Sequence, residues 1–205
     1  MFVKSCIGAK VVLLCQDPTK VELALNLKDP RIKKGVNYVP ISLNLREPYQ
    51  IEKKFQQALQ QLQGHVDSLI LCHGYIKNES IFETNMLEWD QMMNLNVRPH
   101  FQLISLAIPF LKLSKGNVTV LSSNAGEQPQ PGSVIFSTSM SMLNMLVKCT
   151  ALETSFMGIR VNAVAPGVTV TGARIKKESL AMTEGQNKAF MNEAAADVPL
   201  QHKIN

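Results

Sequence analysis

Residues 158–167 read GIRVNAVAPG, and this stretch decides how the second half of the chain folds. Ile159–Ala165 is a short, largely apolar run, which is typical of a buried strand. Pro166 and Gly167 stop that strand, and Gly158 is suited to end the helix that comes before it. The stretch therefore predicts a helix end, a buried strand and a turn in succession.

Apolar runs and amphipathic segments alternate along the rest of the chain. Four further strands are predicted, over Lys10–Cys15, Val36–Ile41, Val66–Cys72 and Asn117–Ser122. Five helices are predicted, over Asp17–Leu27, Pro48–Gly64, Asn85–Met93, Pro99–Leu113 and Ser137–Met157. Asn85 and Glu88 have the spacing of a capping box, and Pro99 marks a break between two of the helices. Strands that alternate with helices predict a parallel sheet covered on both faces.

The composition is that of an ordinary globular domain, with 45% hydrophobic and 18% charged residues among 205. The length predicts one domain, and the lack of an apolar run of about eighteen residues predicts no membrane span. The net charge is +5, but the lysine pairs are spread along the chain with no aromatic residues between them. A solvated surface explains these lysines better than nucleic-acid binding does.

The four cysteines and four histidines show no metal-binding spacing. No CxxC, HxxxH or HExxH pattern occurs, and two of the cysteines lie inside apolar runs. Buried thiols in a reducing compartment, the cytoplasm or an organelle matrix, explain the cysteines better than disulfides or zinc. The sequence therefore predicts no metal site.

A series of short motifs, found in the expected order, resembles the short-chain dehydrogenase/reductase family. The motifs are Gly64-His65-Val66-Asp67, Asn94-Leu95-Asn96-Val97, Ser122-Ser123, Arg160-Val161-Asn162 and Pro166-Gly167 followed by Thr171, with weaker matches at Gly8–Val12 and Val198–Leu200. The resemblance implies an α/β fold with a doubly wound, Rossmann-like parallel sheet. It implies one domain over residues 1–205, with a core in 1–171 and a polar C-terminal segment in 172–205. Aligned with the family, the sequence lacks the first strand and the C-terminal strand.

The resemblance implies a catalytic site whose central pair is replaced. In the family, a tyrosine transfers a proton while hydride passes to or from a nicotinamide, and a lysine lowers the pKa of that tyrosine. The catalytic asparagine and serine align with Asn96 and Ser123, but Phe136 stands at the tyrosine position and Met140 at the lysine position. Phenylalanine has no ionisable proton and methionine no charge, so general acid–base transfer is lost at both positions. Lys148 lies too far along the helix to replace the ammonium. We expect Asn96 and Ser123 to persist as a helix-kink hydrogen bond and a strand-end cap.

The cofactor site of the family is also reduced. A dinucleotide fold binds pyrophosphate at a glycine-rich turn and a helix N-terminus, and no GxxxGxG or GxGxxG pattern occurs here. Gln16 and Asp17 stand where family members choose between NAD and NADP, and Asn44 replaces an aspartate that meets the adenine. The family's Asn-Asn-Ala-Gly turn becomes Leu71-Cys72-His73-Gly74, in which we expect His73 to be a partly exposed turn residue with no special role. The remnant cofactor positions are Asn44, Gly74, Pro166, Gly167 and Thr171. We expect no bound cofactor.

The missing first strand is central in the doubly wound order 3-2-1-4-5-6, so its loss leaves a gap in the sheet. The two flanking strands must pair directly, accept a strand from elsewhere, or belong to a longer chain. Exposed strand edges and the Met-rich helix around Ser137–Met157 then become surfaces for a protein partner, in a hetero- or homo-oligomer. Ordinary core packing explains the methionines of that helix about as well as an interface does.

Three functions are compatible with these observations. The first is a catalytically inactive structural or scaffolding subunit of a larger assembly. The second is an NAD(P)-dependent oxidoreductase, or a fragment of one, that acts on a carbonyl or alcohol. The third is a small-molecule or nucleotide sensor. Phe136 and Met140 favour the first over the second, because truncation does not substitute internal residues. The lost phosphate turn disfavours the third, because dinucleotide affinity rests largely on that turn.

Overall fold

The structure, a computed structural model, describes residues 9–20, 37–129 and 131–167. Its strands are β1 (Val11–Cys15), β2 (Tyr38–Ser42), β3 (Ser68–Leu71), β4 (Asn117–Leu121) and β5 (Arg160–Val164). Its helices are α1 (Tyr49–Gln61), α2 (Met86–Asn96), α3 (Arg98–Ser114) and α4 (Val134–Thr154). Two 3₁₀ turns, Asn124–Gly126 and Ser155–Met157, follow β4 and α4. A further helix begins at Pro18 and leaves the described residues after Lys20.

The strands form two separate sheets. In the first, β1 and β2 are parallel, with Val11 opposite Tyr38 and Cys15 opposite Ser42. The second has the order β3-β4-β5. Set against the doubly wound order 3-2-1-4-5-6, the strands of the described residues correspond to the 3-2 and 4-5-6 parts, so the predicted Rossmann-like fold class is confirmed. Among the described residues β1 does not pair with β3, so the two flanking strands do not close the gap directly.

The chain divides into two compact units. Unit 1 comprises Met1–Leu69, Arg98–Val118 and Glu153–Arg160. Unit 2 comprises Ile70–Val97, Thr119–Leu152 and Val161–Asn205. Each unit has its own buried residues and is described by itself.

Unit 1 is organised by α1 and α3. On α1 the buried residues recur at helical spacing, at Ile51, Phe55, Ala58 and Leu59. On α3 they are Pro99, His100, Leu103, Ile104, Ala107 and Leu111. The ring of Phe55 packs against that of Phe110, with centroids 6.2 Å apart and ring planes at 55°. Two amphipathic helices thus bury their apolar faces within this unit.

A tight turn joins α3 to β4 in unit 1. The N–H of Gly116 donates to the Leu111 carbonyl at 2.9 Å, and the N–H of Asn117 donates to the Asp67 carbonyl at 3.0 Å. A Cβ atom on residue 116 would lie 2.4 Å from the Asp67 carbonyl oxygen. Only glycine fits there, because real Cβ atoms do not approach backbone oxygen so closely.

Unit 2 is built around α4. The buried apolar residues of this helix are Ile135, Phe136, Met140, Leu143 and Val147. On its other side Met145 is 58% exposed and Leu152 is 78% exposed, so the helix is apolar on its buried and exposed sides alike. By length and composition alone, Val134–Met157 is long and apolar enough to cross a membrane, and 33% of its most apolar window is buried.

Several predicted element ends are confirmed. Asn85 caps α2, because its side-chain oxygen accepts the N–H of Glu88 at 3.1 Å. Gly64 follows the end of α1 and has a φ of +78°. Gly158 follows the 3₁₀ turn after α4 and has a φ of +77°. Both values lie in the left-handed region that glycine adopts without strain.

Two predicted boundaries are wrong. The helix α4 begins at Val134 rather than at Ser137, because the Ser137 N–H donates to the Ser133 carbonyl at 2.8 Å and closes a turn that starts earlier. The break before α3 falls at Val97, and Pro99 lies in the first helical turn, where a missing N–H removes no helical hydrogen bond. Three predictions lie outside the described residues, namely those on most of Asp17–Leu27, on Thr171 and on residues 172–205.

Candidate active site

The four family-equivalent catalytic positions all belong to unit 2. Asn96 is the last residue of α2, Ser123 lies two residues after β4, and Phe136 and Met140 lie near the start of α4. Ser139 links the positions on the two helices: its hydroxyl donates to the Phe136 carbonyl at 2.7 Å and accepts from Asn96 at 3.0 Å. The fold therefore brings Asn96 next to the segment that contains Phe136 and Met140.

Phe136 and Met140 are buried core residues. Phe136 is 9% exposed and Met140 is 4% exposed. A phenyl ring can neither donate nor accept a proton, and a thioether carries no positive charge that could stabilise a phenolate. Lys148 is exposed on the same helix. The two positions contribute packing and no acid–base group.

Asn96 is fully buried, and both atoms of its side-chain amide form hydrogen bonds. Its side-chain oxygen accepts the Tyr75 N–H at 2.7 Å, and its side-chain nitrogen donates to the Tyr75 carbonyl at 2.9 Å. The same nitrogen lies 3.0 Å from both the Ser139 hydroxyl and the Met92 sulfur. The amide protons and one lone pair of the oxygen thus have protein partners, and Asn96 ties the loop after β3 to α2 and α4. Sequence reasoning missed Tyr75, because it takes part through its backbone.

Ser123 caps the 3₁₀ turn Asn124–Gly126. Its hydroxyl oxygen accepts the Ala125 N–H at 3.2 Å, in the manner of a helix N-cap. The expected strand-end capping by Ser123 thus corresponds to an observed hydrogen bond.

The 3₁₀ turn after Ser123 lies directly against α4. The Ser141 hydroxyl donates to the Gly126 carbonyl at 2.6 Å, and the Ser122 hydroxyl donates to the Asn144 side-chain oxygen at 2.6 Å. A Cβ on residue 126 would lie 2.8 Å from the carbonyl carbon of Met140. Glycine is needed at this contact, which fixes the turn on the helix.

The remnant cofactor position Asn44, and Asp17 at the position where family members choose between NAD and NADP, both hold local structure. Asn44 donates to the Glu47 carboxylate at 2.9 Å and accepts the Arg46 N–H at 3.1 Å, so its side chain closes its own turn. Asp17 accepts the Thr19 N–H at 3.1 Å and caps the helix that begins at Pro18. The neighbouring Lys20 and the hydrogen bonds to Asp17 lower the pKa of its carboxyl.

The other remnant positions lie in unit 2. The Asn124 N–H donates to the Pro166 carbonyl at 3.1 Å, and the Asn124 side chain lies beside Gly167. Gly74 has open space around it, with no atom within 4 Å of a Cβ placed there. Thr171 lies outside the described residues. Among the residues that the structure describes, no group of three His, Cys, Asp or Glu side chains could hold a metal ion.

Comparison with known families identifies this arrangement. The family model for short chain dehydrogenases matches residues 5–180. The chain belongs to the short-chain dehydrogenase family. The resemblance predicted from the motifs is therefore confirmed, and so is its fold class.

Curated relatives of this short-chain dehydrogenase include two reductases. It is 31% identical over 165 residues to the glycine betaine reductase ATRR of Emericella nidulans. The aligned residues cover 80% of this chain and 13% of that protein. It is 28% identical over 133 residues to the 3-oxoacyl-[acyl-carrier-protein] reductase FabG of Thermotoga maritima. The aligned residues cover 64% of this chain and 54% of that protein. The chain thus spans only part of the length of these relatives.

A solved structure also matches in fold. A tyrosine-to-phenylalanine variant of ElxO with NADPH bound has a TM-score of 0.79 and 19% identity. The match covers 94% of this chain and 75% of that one. At this level of identity the likeness concerns the fold alone.

His73 of this short-chain dehydrogenase has an imidazole whose pKa is lowered. Its imidazole is largely buried, and burial lowers its pKa from 6.5 to about 4. A histidine in the unfolded chain takes up a proton near pH 6.5, whereas the native one resists until about pH 4. Between these values the unfolded chain binds more protons, so we expect stability to be full above pH 6.5 and to fall by about 3 kcal/mol as pH drops to 4.

Urea unfolding at several pH values checks this expectation. The His73→Ala variant should lose most of the decline between pH 6.5 and 4, whereas the variant of an exposed histidine, His65→Ala, should keep it. Equal pH dependence in the wild type and the His73→Ala variant contradicts the assignment.

Proposed function

We propose that this chain is a catalytically inactive member of the short-chain dehydrogenase family that serves as a structural subunit of a larger assembly. The observation that carries the proposal is the burial of Phe136 and Met140 at the two positions where the family holds its proton-transferring pair. Burial matters as well as identity, because a buried site leaves no room for an outside group to supply the missing proton.

The hydrogen bonds of Asn96 support the same proposal. A relay residue must hold a water, but the amide of Asn96 is engaged with Tyr75 and Ser139. Ser123, the remaining position, accepts a backbone N–H and caps a turn. Both surviving family residues thus have structural partners that account for their presence.

A role in an assembly is supported by apolar surface that the described residues leave uncovered. Met145 and Leu152 on α4 are exposed, and the outer edges of β1 and β3 have no strand partner among the described residues. Exposed edges and apolar helix faces are common association surfaces. A protein partner in a hetero- or homo-oligomer is part of the proposal.

Titration with NAD(H) and NADP(H) tests the proposal. We expect no binding in the low micromolar range by calorimetry, with an active family member as positive control. Asn44 stands where family members contact the adenine, and its side chain is used in its own turn. Low micromolar affinity for either dinucleotide overturns the proposal.

Restoring the tyrosine and the lysine distinguishes inactivity caused by the missing acid–base pair from inactivity caused by the lack of cofactor binding. The double variant Phe136→Tyr with Met140→Lys should show no turnover with carbonyl substrates. Two substitutions replace the acid–base pair but neither rebuild a cofactor site nor free Asn96. The Phe136→Tyr single variant is the control, because it adds only a hydroxyl. Measurable turnover by the double variant shows that the cofactor site is functional.

The second candidate function is an NAD(P)-dependent oxidoreductase, or a fragment of one, acting on a carbonyl or alcohol. The reductase names of the relatives favour it, as does the ElxO variant, which binds NADPH although a tyrosine is replaced by phenylalanine. Replacement of a tyrosine is therefore compatible with dinucleotide binding in that neighbour. The same titration decides between the two candidates.

A further inference from the structure

Unit 2 exposes a cluster of large apolar side chains around the start of α2. The four residues are Ile81, Phe82, Met86 and Leu87, which are 67%, 94%, 69% and 67% exposed. They lie within seven consecutive residues, two in a turn and two at the start of α2. We call this cluster, with the charged residues between Lys77 and Asp90, the acidic apolar patch.

The patch is held in place by its own hydrogen bonds. Lys77 forms ion pairs with both Glu79 and Glu88 and ties the loop to the first turn of α2. The Thr84 hydroxyl donates to the Ser80 carbonyl at 2.9 Å, and Asn85 caps the helix. The apolar side chains are therefore presented from an ordered turn and a helix start, which reduces the entropy that binding must remove.

The charge of the patch is opposite to that of the chain. Residues 77–90 hold one lysine and four acidic residues, whereas the whole chain has a net charge of +5. The lysine is already paired with Glu79 and Glu88, and Glu83 and Asp90 are exposed. The rim of the apolar cluster thus attracts cations and repels phosphate groups.

We propose that the acidic apolar patch binds a basic amphipathic segment of a partner protein, with apolar side chains against Phe82 and its neighbours and lysine or arginine at the rim. The acidic rim disfavours nucleic acid and anionic membranes as occupants. Phe82, at 94% exposure, is the anchor, because a buried aromatic side chain contributes most at such interfaces. The proposal goes beyond the loss of catalysis and holds whether or not a dinucleotide binds.

Trp89, the only tryptophan of the chain, lies between the patch residues Glu88 and Asp90 on α2 and reports on occupation of the patch. The full chain is titrated with an amphipathic Leu/Lys peptide of about 18 residues, long enough to form a helix on binding. Its twin, with every lysine replaced by glutamate, is the peptide control. We expect saturable binding of the Leu/Lys peptide by Trp89 fluorescence and calorimetry, weakened when salt rises from about 0.05 M to about 0.5 M, and no binding of the Leu/Glu twin.

Matched variants locate the binding surface. Phe82→Ser should weaken the Leu/Lys peptide about tenfold or more, whereas Phe156→Ser, at a phenylalanine that is 80% exposed elsewhere, should not. Glu83→Lys should weaken binding, and Glu153→Lys, at an exposed glutamate on α4, should not. Because Phe82 and Glu83 are exposed, circular dichroism should show an unchanged fold.

Several outcomes overturn the proposal. They are equal binding of the two peptides, equal weakening by Phe82→Ser and Phe156→Ser, and absence of saturable binding by both methods. Analytical ultracentrifugation of the chain alone tests whether a second copy of the chain occupies the patch. Self-association that Phe82→Ser abolishes assigns the patch to a second copy and rejects a separate basic partner.

Discussion

Replacing Gly116 with alanine is expected to lower the free energy of unfolding by about 3 kcal/mol or more. The new Cβ would lie 2.4 Å from the Asp67 carbonyl oxygen and 2.8 Å from side-chain atoms of Leu111 and Ser114. A side chain can rotate away, but the Asp67 carbonyl is held in place because it accepts the Asn117 N–H at 3.0 Å. The clash must therefore separate β3 from the turn that leads into β4.

Urea unfolding followed by far-UV circular dichroism measures this effect. Gly74→Ala is the matched control, because a Cβ at residue 74 meets no atom within 4 Å. We expect that variant to be neutral or stabilised by less than about 1 kcal/mol. Equal destabilisation by the two substitutions contradicts the steric explanation.

Replacing Asn96 with leucine is expected to cost about 3 kcal/mol of stability, although the side-chain volume is nearly kept. The substitution leaves the Tyr75 N–H, the Tyr75 carbonyl and the Ser139 hydroxyl without their Asn96 partner in a buried site. A buried polar group without a partner costs about 1–3 kcal/mol. Partial relaxation of the loop that holds Tyr75 reduces the sum.

Asn94→Leu is the control for this second prediction, since Asn94 is exposed on the same helix. It should change stability by less than about 0.5 kcal/mol. Hydrogen exchange adds a local measurement, because the amide of Tyr75 should exchange faster in the Asn96→Leu variant alone. An unchanged exchange rate at Tyr75 means that Asn96 does not hold this loop.

Much of the fold could be predicted because its signals are local. The apolar runs of the strands, the cap at Asn85 and the glycine ends at Gly64 and Gly158 each depend on a few neighbouring residues. The start of α4 was harder to place, because the polar run that begins at Ser137 resembles a helix start while the first turn closes earlier on Ser133.

The candidate site could be predicted only in part. The identities of Phe136 and Met140 follow from their spacing to Ser123, so the lost pair is visible in the sequence. The partner of Asn96 is not, because it is the backbone of a residue 21 positions away, and backbone groups leave no mark on residue type. The exposure of Phe82 is also a tertiary property, since residue type alone does not distinguish an exposed phenylalanine from a buried one.

The hydrogen bonds of Asn96 bear on whether the loss of catalysis can be reversed in evolution. While Asn96 binds the backbone of Tyr75, selection for stability preserves an arrangement that competes with water ordering at the same amide. A variant with a tyrosine at position 136 and a lysine at position 140 still has Asn96 hydrogen-bonded to the Tyr75 backbone. Breaking those hydrogen bonds is expected to lower stability. Under the proposed function, the cost of releasing Tyr75 from Asn96 is a stability cost that a restored tyrosine and lysine alone do not remove.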